Sequence, residues 1–129
     1  MSRPLANPVV HLELRTTNIS RACAFYTELF DWRAESLRAG GGSYLALNLP
    51  GSIRGGVVED ERAVAIWRPY VEVPDIRTAV DLAERLGATV TIEPREGPAG
   101  WRSVLVAPAG AEVGLWQPKG SGAPDPRVA

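Results

Sequence analysis

Two short segments hold most of the side chains in this sequence that could do chemistry. Each segment alternates polar and apolar residues, which is typical of a β-strand whose two faces meet different surroundings. The polar faces carry an imidazole, two guanidinium groups, a phenol and two carboxylates, namely those of His11, Glu13, Arg15, Arg68, Tyr70 and Glu72. Imidazole and carboxylate groups can transfer protons, so His11, Glu13 and Glu72 are the candidates for acid–base catalysis. A charge is costly away from water, and we therefore expect Arg68 to pair with Glu13 or Glu72.

The elements around these segments follow a strand–helix pattern that occurs twice. After the first strand, Asn18 stands where a helix N-cap belongs, because its side-chain oxygen can accept a hydrogen bond from a free backbone N–H. Apolar residues then recur every three or four positions and predict one apolar helix face, made of Ile19, Ala22, Phe25, Tyr26 and Leu29. An offset of 57 residues places Asp75 on Asn18 and a second helix, predicted at 76–86, on the first. We interpret this match as an internal duplication.

Each copy reads as strand–helix–strand–strand–strand, so the sequence predicts an α+β fold of two tandem βαβββ modules. The later strands of the two copies are predicted at 32–37, 43–49, 53–59, 89–93, 101–107 and 112–117. The modules span 8–59 and 66–118 of one domain, between a leader at 1–7 and a flexible tail at 119–129.

Glycines and prolines mark two further features of the chain. Gly55 and Gly56 lie inside a predicted strand, where paired glycines indicate a bulge or a close approach to the backbone. The segment 94–100 is predicted as a loop, and its part from 95 to 100 could fold over the mouth of a cavity, since glycines permit hinge motion there.

Composition excludes several classes of protein. A chain of 129 residues with 45% hydrophobic and 22% charged residues is typical of one globular domain. The formal net charge of −1 provides no positive surface for nucleic acid or an anionic membrane. No apolar run approaches the roughly 20 residues of a membrane-spanning helix. The single cysteine, Cys23, is predicted to fill core space in the first helix, and the lack of a second cysteine favours a cytoplasmic protein.

Several phrases, taken together and in order, resemble the vicinal oxygen chelate superfamily, which includes glyoxalase I, extradiol dioxygenases and bleomycin-resistance proteins. They are His11 in the first strand, the helix phrase at 25–32, the pair Gly55 and Gly56, and the segments 73–76, 86–88 and 108–118. The resemblance covers about residues 8–118. It implies a cupped mixed sheet with the helices outside, and a cavity that is commonly completed by a second subunit. A homodimer is therefore expected.

The resemblance also implies a metal site inside the cup, with two ligands from each module on the first and fourth strands. The corresponding positions here are His11, Val57, Arg68 and Gly114. Only His11 could bind an ion, whereas a catalytic site needs about three protein donors. We therefore expect no metal cofactor, with His11 as the one retained candidate. The alternative is one divalent ion that recruits Glu13, Glu59 or Glu112, because a one-residue slip exchanges the two faces of a strand.

Large aromatic rings are expected to line the cavity, since rigid rings are favoured at binding surfaces. Trp32 is the exception and is expected to pack under the first helix. The predicted ligand-binding residues are His11, Glu13, Tyr44, Val57, Trp67, Arg68, Tyr70, Trp101, Gly114 and Trp116.

These residues and the resemblance lead us to expect one of two functions. The first is a small-molecule binding protein of the glyoxalase or bleomycin-resistance type, which sequesters a partly aromatic metabolite or antibiotic in the cavity without metal. The alternative is an enzyme of the same superfamily, a lyase, isomerase or dioxygenase, that uses a metal or an acid–base group. In both cases the expected partners are a small molecule and a second subunit.

Overall fold

Two helices and eight strands make up the fold of the described part of the chain. The computed structural model describes residues 7–39, 42–51, 53–61 and 65–119, with the backbone alone at 37–39 and 42–44. The first half contains β1 (Val9–Thr16), α1 (Ile19–Leu29), β2 (Arg33–Ala39), β3 (Gly42–Asn48) and β4 (Arg54–Glu59). The second half contains β5 (Ile66–Glu72), α2 (Ile76–Arg85), β6 (Thr89–Glu96), β7 (Gly100–Val106) and β8 (Glu112–Pro118).

All eight strands form one mixed sheet in the order β2-β3-β4-β1-β5-β8-β7-β6. Within each half the first and fourth strands are parallel neighbours, β1 with β4 and β5 with β8. The two halves meet where β1 and β5 pair antiparallel, with Glu13 opposite Arg68. The two halves therefore repeat one topology about a central seam, and the predicted α+β fold of two βαβββ modules is confirmed.

The helices begin and end where the sequence predicts, within one residue. The side chain of Asn18 accepts a hydrogen bond from the backbone N–H of Arg21 at 3.0 Å, and Asp75 does the same for Thr78. Both side chains satisfy N–H groups that have no partner inside the helix. After α2, Gly87 adopts the left-handed conformation (φ +99°) that favours glycine. Neither helix in the described part of the chain is long and apolar enough to span a bilayer.

Each helix covers its own hydrophobic cluster on the same face of the sheet. Beneath α1 the buried members are Leu14, Cys23, Leu47 and Val57. Beneath α2 they are Val73, Ile76, Val80, Leu105 and Leu115. Cys23 is buried, which confirms its predicted core position, and burial raises the pKa of its thiol.

The apolar face of α1 is wider than the surface it covers. Ala22 and Tyr26 pack against the cluster beneath the helix, but Phe25 and Leu29 are each 58% exposed. The predicted apolar face of α1 is therefore only partly buried. The corresponding residues of α2, Leu82 and Leu86, are also exposed.

The structure also tests two predictions about irregular segments. Strand β6 continues to Glu96, and only a short turn separates it from β7, closed by a hydrogen bond from Gly97 N–H to Gly100 O at 2.8 Å. No seven-residue loop is present at 94–100 to fold over a cavity. Of the two readings of the glycine pair, close approach fits Gly55, because a methyl group there would overlap the side chain of Leu49.

The cluster beneath α1 provides a test of the fold. Leu47 is completely buried, so Leu47→Ala removes apolar contacts and leaves a cavity that should cost about 2–5 kcal/mol of unfolding free energy. Leu86 is the control: it lies beyond the end of α2 with most of its side chain in water, and Leu86→Ala should change the unfolding free energy by less than about 0.5 kcal/mol. Urea unfolding of both variants measures the difference.

Candidate functional site

The candidate site is on the face of the sheet opposite the helices, which we call the cup face. Leu14 in β1 and Leu115 in β8 pack against the helices, so their alternating neighbours must point the other way. On β1 and β5 these neighbours include His11, Glu13, Arg68 and Tyr70, each of them buried. The prediction that the polar rows point away from the helices is confirmed.

Arg68 is at the centre of this face and is held by two carboxylates. Its Nε donates a hydrogen bond to Glu112 Oε1 at 2.6 Å, and its Nη1 donates to Glu13 Oε1 at 3.0 Å. The predicted pairing with Glu13 is confirmed, but the second carboxylate is Glu112 and not Glu72. Strand order explains the difference, because Glu112 is on β8, the direct neighbour of β5.

The ion pairs extend from the centre of the face to the end of the first module. Arg15 donates from Nη1 to the same Glu13 oxygen at 2.9 Å and from Nε to Asp60 Oδ2 at 3.0 Å. Neither Arg15 nor Asp60 was a predicted site residue. Alternation does place Arg15 on the same strand face as His11 and Glu13, but nothing in the sequence indicates its pairing with Asp60.

Burial and pairing shift the pKa values of three groups in this network. Burial would lower the pKa of Arg15, but the charge of Glu13 and the hydrogen bonds to Asp60 and Glu13 outweigh it, and the pKa is raised. Burial alone would lower the pKa of Arg68, but the nearby hydroxyl of Tyr70, the hydrogen bond to Glu112 and the charge of Glu13 outweigh it, and the pKa is raised. The pKa of Tyr70 is also raised, first by burial and then by the negative charge of Glu13. Arg102 and Arg68 act in the opposite direction on Tyr70. Arg68 is therefore a permanent cation and Tyr70 a neutral phenol.

Aromatic rings lie beside these ion pairs on the cup face. The rings of His11 and Tyr70 meet edge to face, with centroids 5.6 Å apart. The Tyr70 ring lies directly against Gly114, where a methyl group would overlap it. Trp116 shares this face and is almost completely buried. The hydroxyl of Tyr70 and the indole N–H of Trp116 make no hydrogen bond of good geometry with the described residues, although buried polar groups are nearly always paired.

Two other tryptophans do not face the cup, contrary to prediction. Trp67 packs beneath α1 and donates a hydrogen bond from Nε1 to the hydroxyl of Tyr26 at 3.3 Å. Trp101 packs beneath α2, with the guanidinium of Arg77 5.8 Å from its ring centroid. Trp67 directly precedes Arg68, and Trp101 pairs with Gln117, which directly follows Trp116, so both rings lie on the helix side of the sheet. Trp32 stacks on Tyr26 beneath α1, as predicted.

The predicted position on the fourth strand of the first module is wrong by one residue. Strand β1 pairs Glu13 with Gly56, and β5 pairs Tyr70 with Gly114, so Gly56 is the structural counterpart of Gly114. Val57 instead packs beneath α1. Tyr44 belongs to β3, and its side chain lies outside the described residues.

The donor set at these positions does not fit a divalent ion. The four positions of the family's metal site carry His11, Gly56, Arg68 and Gly114, of which only His11 can coordinate through its side chain. The possible replacements Glu13 and Glu112 are already bound to Arg68, and Glu59 is exposed and shares a strand face with Val57. Within the described ranges no three His, Cys, Asp or Glu side chains come together as a metal-binding group.

Comparison with known proteins agrees with this architecture. A family model described as a glyoxalase-like domain matches residues 10–116. The candidate glyoxylase CFP32 of Mycobacterium bovis, like that of Mycobacterium tuberculosis, is 34% identical over 114 residues, which cover 82% of this chain and 44% of the relative. The chain thus spans less than half the length of these curated relatives.

Solved structures show the same fold at low sequence identity. A hypothetical protein from Bacillus halodurans, BH1468, superposes with a TM-score of 0.71 at 15% identity, over 92% of this chain and 99% of that one. Methylmalonyl-CoA epimerase from Mycobacterium tuberculosis superposes with a TM-score of 0.63 at 15% identity, over 86% of this chain and 87% of that one. These two solved structures share the fold of this chain.

The ion pairs of Arg68 can be tested by substitution. Arg68→Met leaves the carboxylate of Glu13 buried with one partner fewer, and this should cost about 3–5 kcal/mol of unfolding free energy. Lys119 is the control: it pairs with Glu96 at 2.7 Å on the surface, and Lys119→Met should cost at most about 1 kcal/mol. Equal costs in denaturant unfolding would contradict the central role of Arg68.

The raised pKa of Tyr70 predicts a loss of stability in alkali. Unfolding returns the phenol to its ordinary pKa of about 10, so the folded state loses stability as the pH rises above that value. Titration of phenolate absorbance should show the last ionisation step above that value, and Tyr70→Phe should remove this step. The variant should also lose less stability than the wild type between neutral and alkaline pH.

Proposed function

This chain belongs to the glyoxalase-like domain family of the vicinal oxygen chelate superfamily, and we propose that it binds a partly aromatic small molecule on its cup face without a metal ion. One observation carries the proposal. A permanently charged guanidinium, that of Arg68, occupies a position where the family's metal-binding members present a ligand, and it is fixed by Glu13 and Glu112. A cation at that position repels a divalent ion, and it holds the two nearest carboxylates away from one.

The network leaves a fixed set of hydrogen-bond donors for a ligand. A guanidinium has five N–H donors, and the contacts of Arg68 with Glu13 and Glu112 use three of them. The indole N–H of Trp116 can only donate, and it has no acceptor among the described residues. A ligand that satisfies this face therefore presents oxygen or nitrogen acceptors.

The rings beside these donors favour a ligand with a flat apolar part. Tyr70 and Trp116 are rigid rings that are almost completely buried in this face, and such rings are favoured at binding sites because they lose little conformational entropy. Gly56 and Gly114 leave the backbone of β4 and β8 without side chains on either side of the centre. An aromatic metabolite or antibiotic with ring oxygens matches these properties, and sequestration would require no chemical step.

The proposal also covers the cellular compartment, the oligomeric state and the partners of the protein. We infer a cytoplasmic protein, because a single cysteine fits a reducing compartment, and a homodimer, because the resemblance to the superfamily implies a second subunit. The formal net charge of −1 makes nucleic acid an unsuitable partner.

A second candidate is an acid–base enzyme of the glyoxalase type. It is favoured by the name of the curated relative CFP32 and by the position of His11, which is buried and in ring contact with the neutral phenol of Tyr70. In this candidate function His11 is the catalytic group, and the bound small molecule is released as a chemically different product.

A binding experiment separates the two candidates. We expect at least one compound from a panel of aromatic antibiotics and oxygenated aromatic metabolites to change tryptophan fluorescence, to bind by calorimetry, and to be recovered with unchanged mass. Trp116→Phe keeps a ring but removes the N–H donor, and it should weaken binding by about tenfold, a typical cost of one lost hydrogen bond to a buried donor. Trp101→Phe alters the helix side of the sheet and should leave affinity unchanged.

Other outcomes contradict the proposal in distinct ways. Elemental analysis that finds a stoichiometric divalent metal in protein purified without chelator would overturn its metal-free part. Recovery of a converted compound, with turnover lost in His11→Ala, would favour the enzyme. If no compound binds, or if Trp101→Phe weakens binding as much as Trp116→Phe, the cup face is not the site.

A further inference from the structure

Two arginines of the second module are directly opposite each other on the cup face. Trp101 packs beneath α2, so its chain neighbour Arg102 on β7 points to the other side of the sheet. Arg95 on β6 is paired with Arg102 across the two strands. Neither guanidinium forms an ion pair with a carboxylate of the described residues. Two like charges in these positions destabilise a sheet, and an anion bound between them would remove the repulsion.

An irregularity in β6 produces this arrangement. Ile92 on β6 is paired with Val104 on β7. Three residue steps lead from Ile92 to Arg95, but only two lead from Val104 to the partner of Arg95, so β6 contains one extra residue. Regular pairing would place Pro94 opposite Arg102 and would turn Arg95 toward the helices. Bulges that redirect a side chain are typical of strands next to an active or binding site, and this one favours a functional role for Arg95.

Two acidic side chains of the second module are close in the sheet but do not neutralise the arginines. Glu96 pairs with Lys119 at 2.7 Å. Glu72 is in the same row of the cup face as Arg102, but two strands away, a distance of about 9.5 Å across the sheet. Trp116 occupies the position between them. The two arginines therefore keep an excess of positive charge on this part of the cup face.

The indole N–H of Trp116 is a third donor beside the two arginines. Trp116 is directly opposite Arg102, and its side chain is 1% exposed. The edge of the indole that contains Cζ2 lies over Gly100 at the start of β7, where a methyl group would overlap it. The ring nitrogen is on the same edge, so the N–H is directed toward β7. It has no acceptor among the described residues, although buried donors are nearly always paired.

The positive charge of this region extends from the central rings to the solvent. Arg102 is half-buried, and its charge lowers the pKa of the Tyr70 phenol against the larger opposite effect of burial, so the guanidinium is within electrostatic reach of the hydroxyl. Arg95 is exposed. A ligand can therefore meet Arg95 first and reach Arg102 and the rings afterwards.

We propose that Arg102 and Arg95 form a subsite for an acid group, a carboxylate or a phosphate, of the aromatic ligand on the cup face. This inference rests on the proposed function and narrows its ligand to an aromatic acid. A guanidinium can donate two parallel hydrogen bonds to such a group, and the N–H of Trp116 donates to a further oxygen. The flat part of the ligand then lies toward Tyr70, and an aromatic compound with a positive charge is repelled.

Matched ligands test the subsite. Naphthoate and naphthyl phosphate carry an acid group, and naphthamide presents the same ring system without a charge. In calorimetry at neutral pH, at least one of the acids should bind at least about tenfold more tightly than the amide, as expected for hydrogen bonds to a charged group. The acid that binds more tightly identifies the group as carboxylate or phosphate. Arg102→Met should remove this advantage, and Arg95→Met should reduce it by about threefold, because Arg95 is exposed.

A control variant separates the subsite from the total charge of the protein. Arg85→Met removes the same charge from the exposed end of α2, on the opposite side of the sheet, and should change all three affinities by less than about twofold. Circular dichroism and thermal unfolding show that each variant is folded.

The outcomes distinguish a failure of this inference from a failure of the proposed function. If the amide binds as tightly as both acids and Trp116→Phe weakens all three, the cup face binds ligands without an acid subsite, and the inference is overturned. If Arg102→Met weakens the acids and Trp116→Phe affects no compound, the arginine subsite stands and the proposed function fails. Equal losses in Arg85→Met and Arg102→Met, or failure of both acids to bind, would also overturn the inference.

Discussion

The need to pair a buried cation shapes the centre of this molecule. Arg68 on β5 is bound to Glu13 on β1 and to Glu112 on β8, so one guanidinium connects three adjacent strands. The contact with Glu13 crosses the seam where the two modules meet. Arg15 and Asp60 then continue the network to the end of the first module. Because an unpaired charge in this place is costly, the network fixes the relative positions of the modules as well as the chemistry of the face.

The two faces of the sheet contribute differently to the stability of the fold. The helix face holds two apolar clusters and provides the hydrophobic stabilisation of the fold. The cup face does not have to provide this stabilisation, and it buries ion pairs and aromatic rings instead. The absence of a side chain at Gly114 lets the Tyr70 ring lie against the backbone of β8. A glycine in place of a donor thus changes the packing of this face as well as removing a possible metal ligand.

Family membership determines the architecture of this chain but does not determine its activity. The same two-module sheet supports different chemistries in its relatives, because function resides in the side chains placed on the fold. Here those side chains are a paired arginine, a neutral phenol and a tryptophan, and they are the basis of the proposal that the chain binds a small molecule without a metal ion.

The sequence by itself determined the duplication, both helices with their N-caps, and the outward direction of the polar rows on β1 and β5. These features depend on local periodicity and capping, which are visible along the chain. It could not determine which carboxylate completes the pair of Arg68, because Glu112 reaches that position only through the pairing of β5 with β8. Nor could it place Val57, Trp67 and Trp101, whose faces change with a single residue of register. Tertiary structure decided these matters, since strand pairing and register arise from contacts between residues far apart in the sequence.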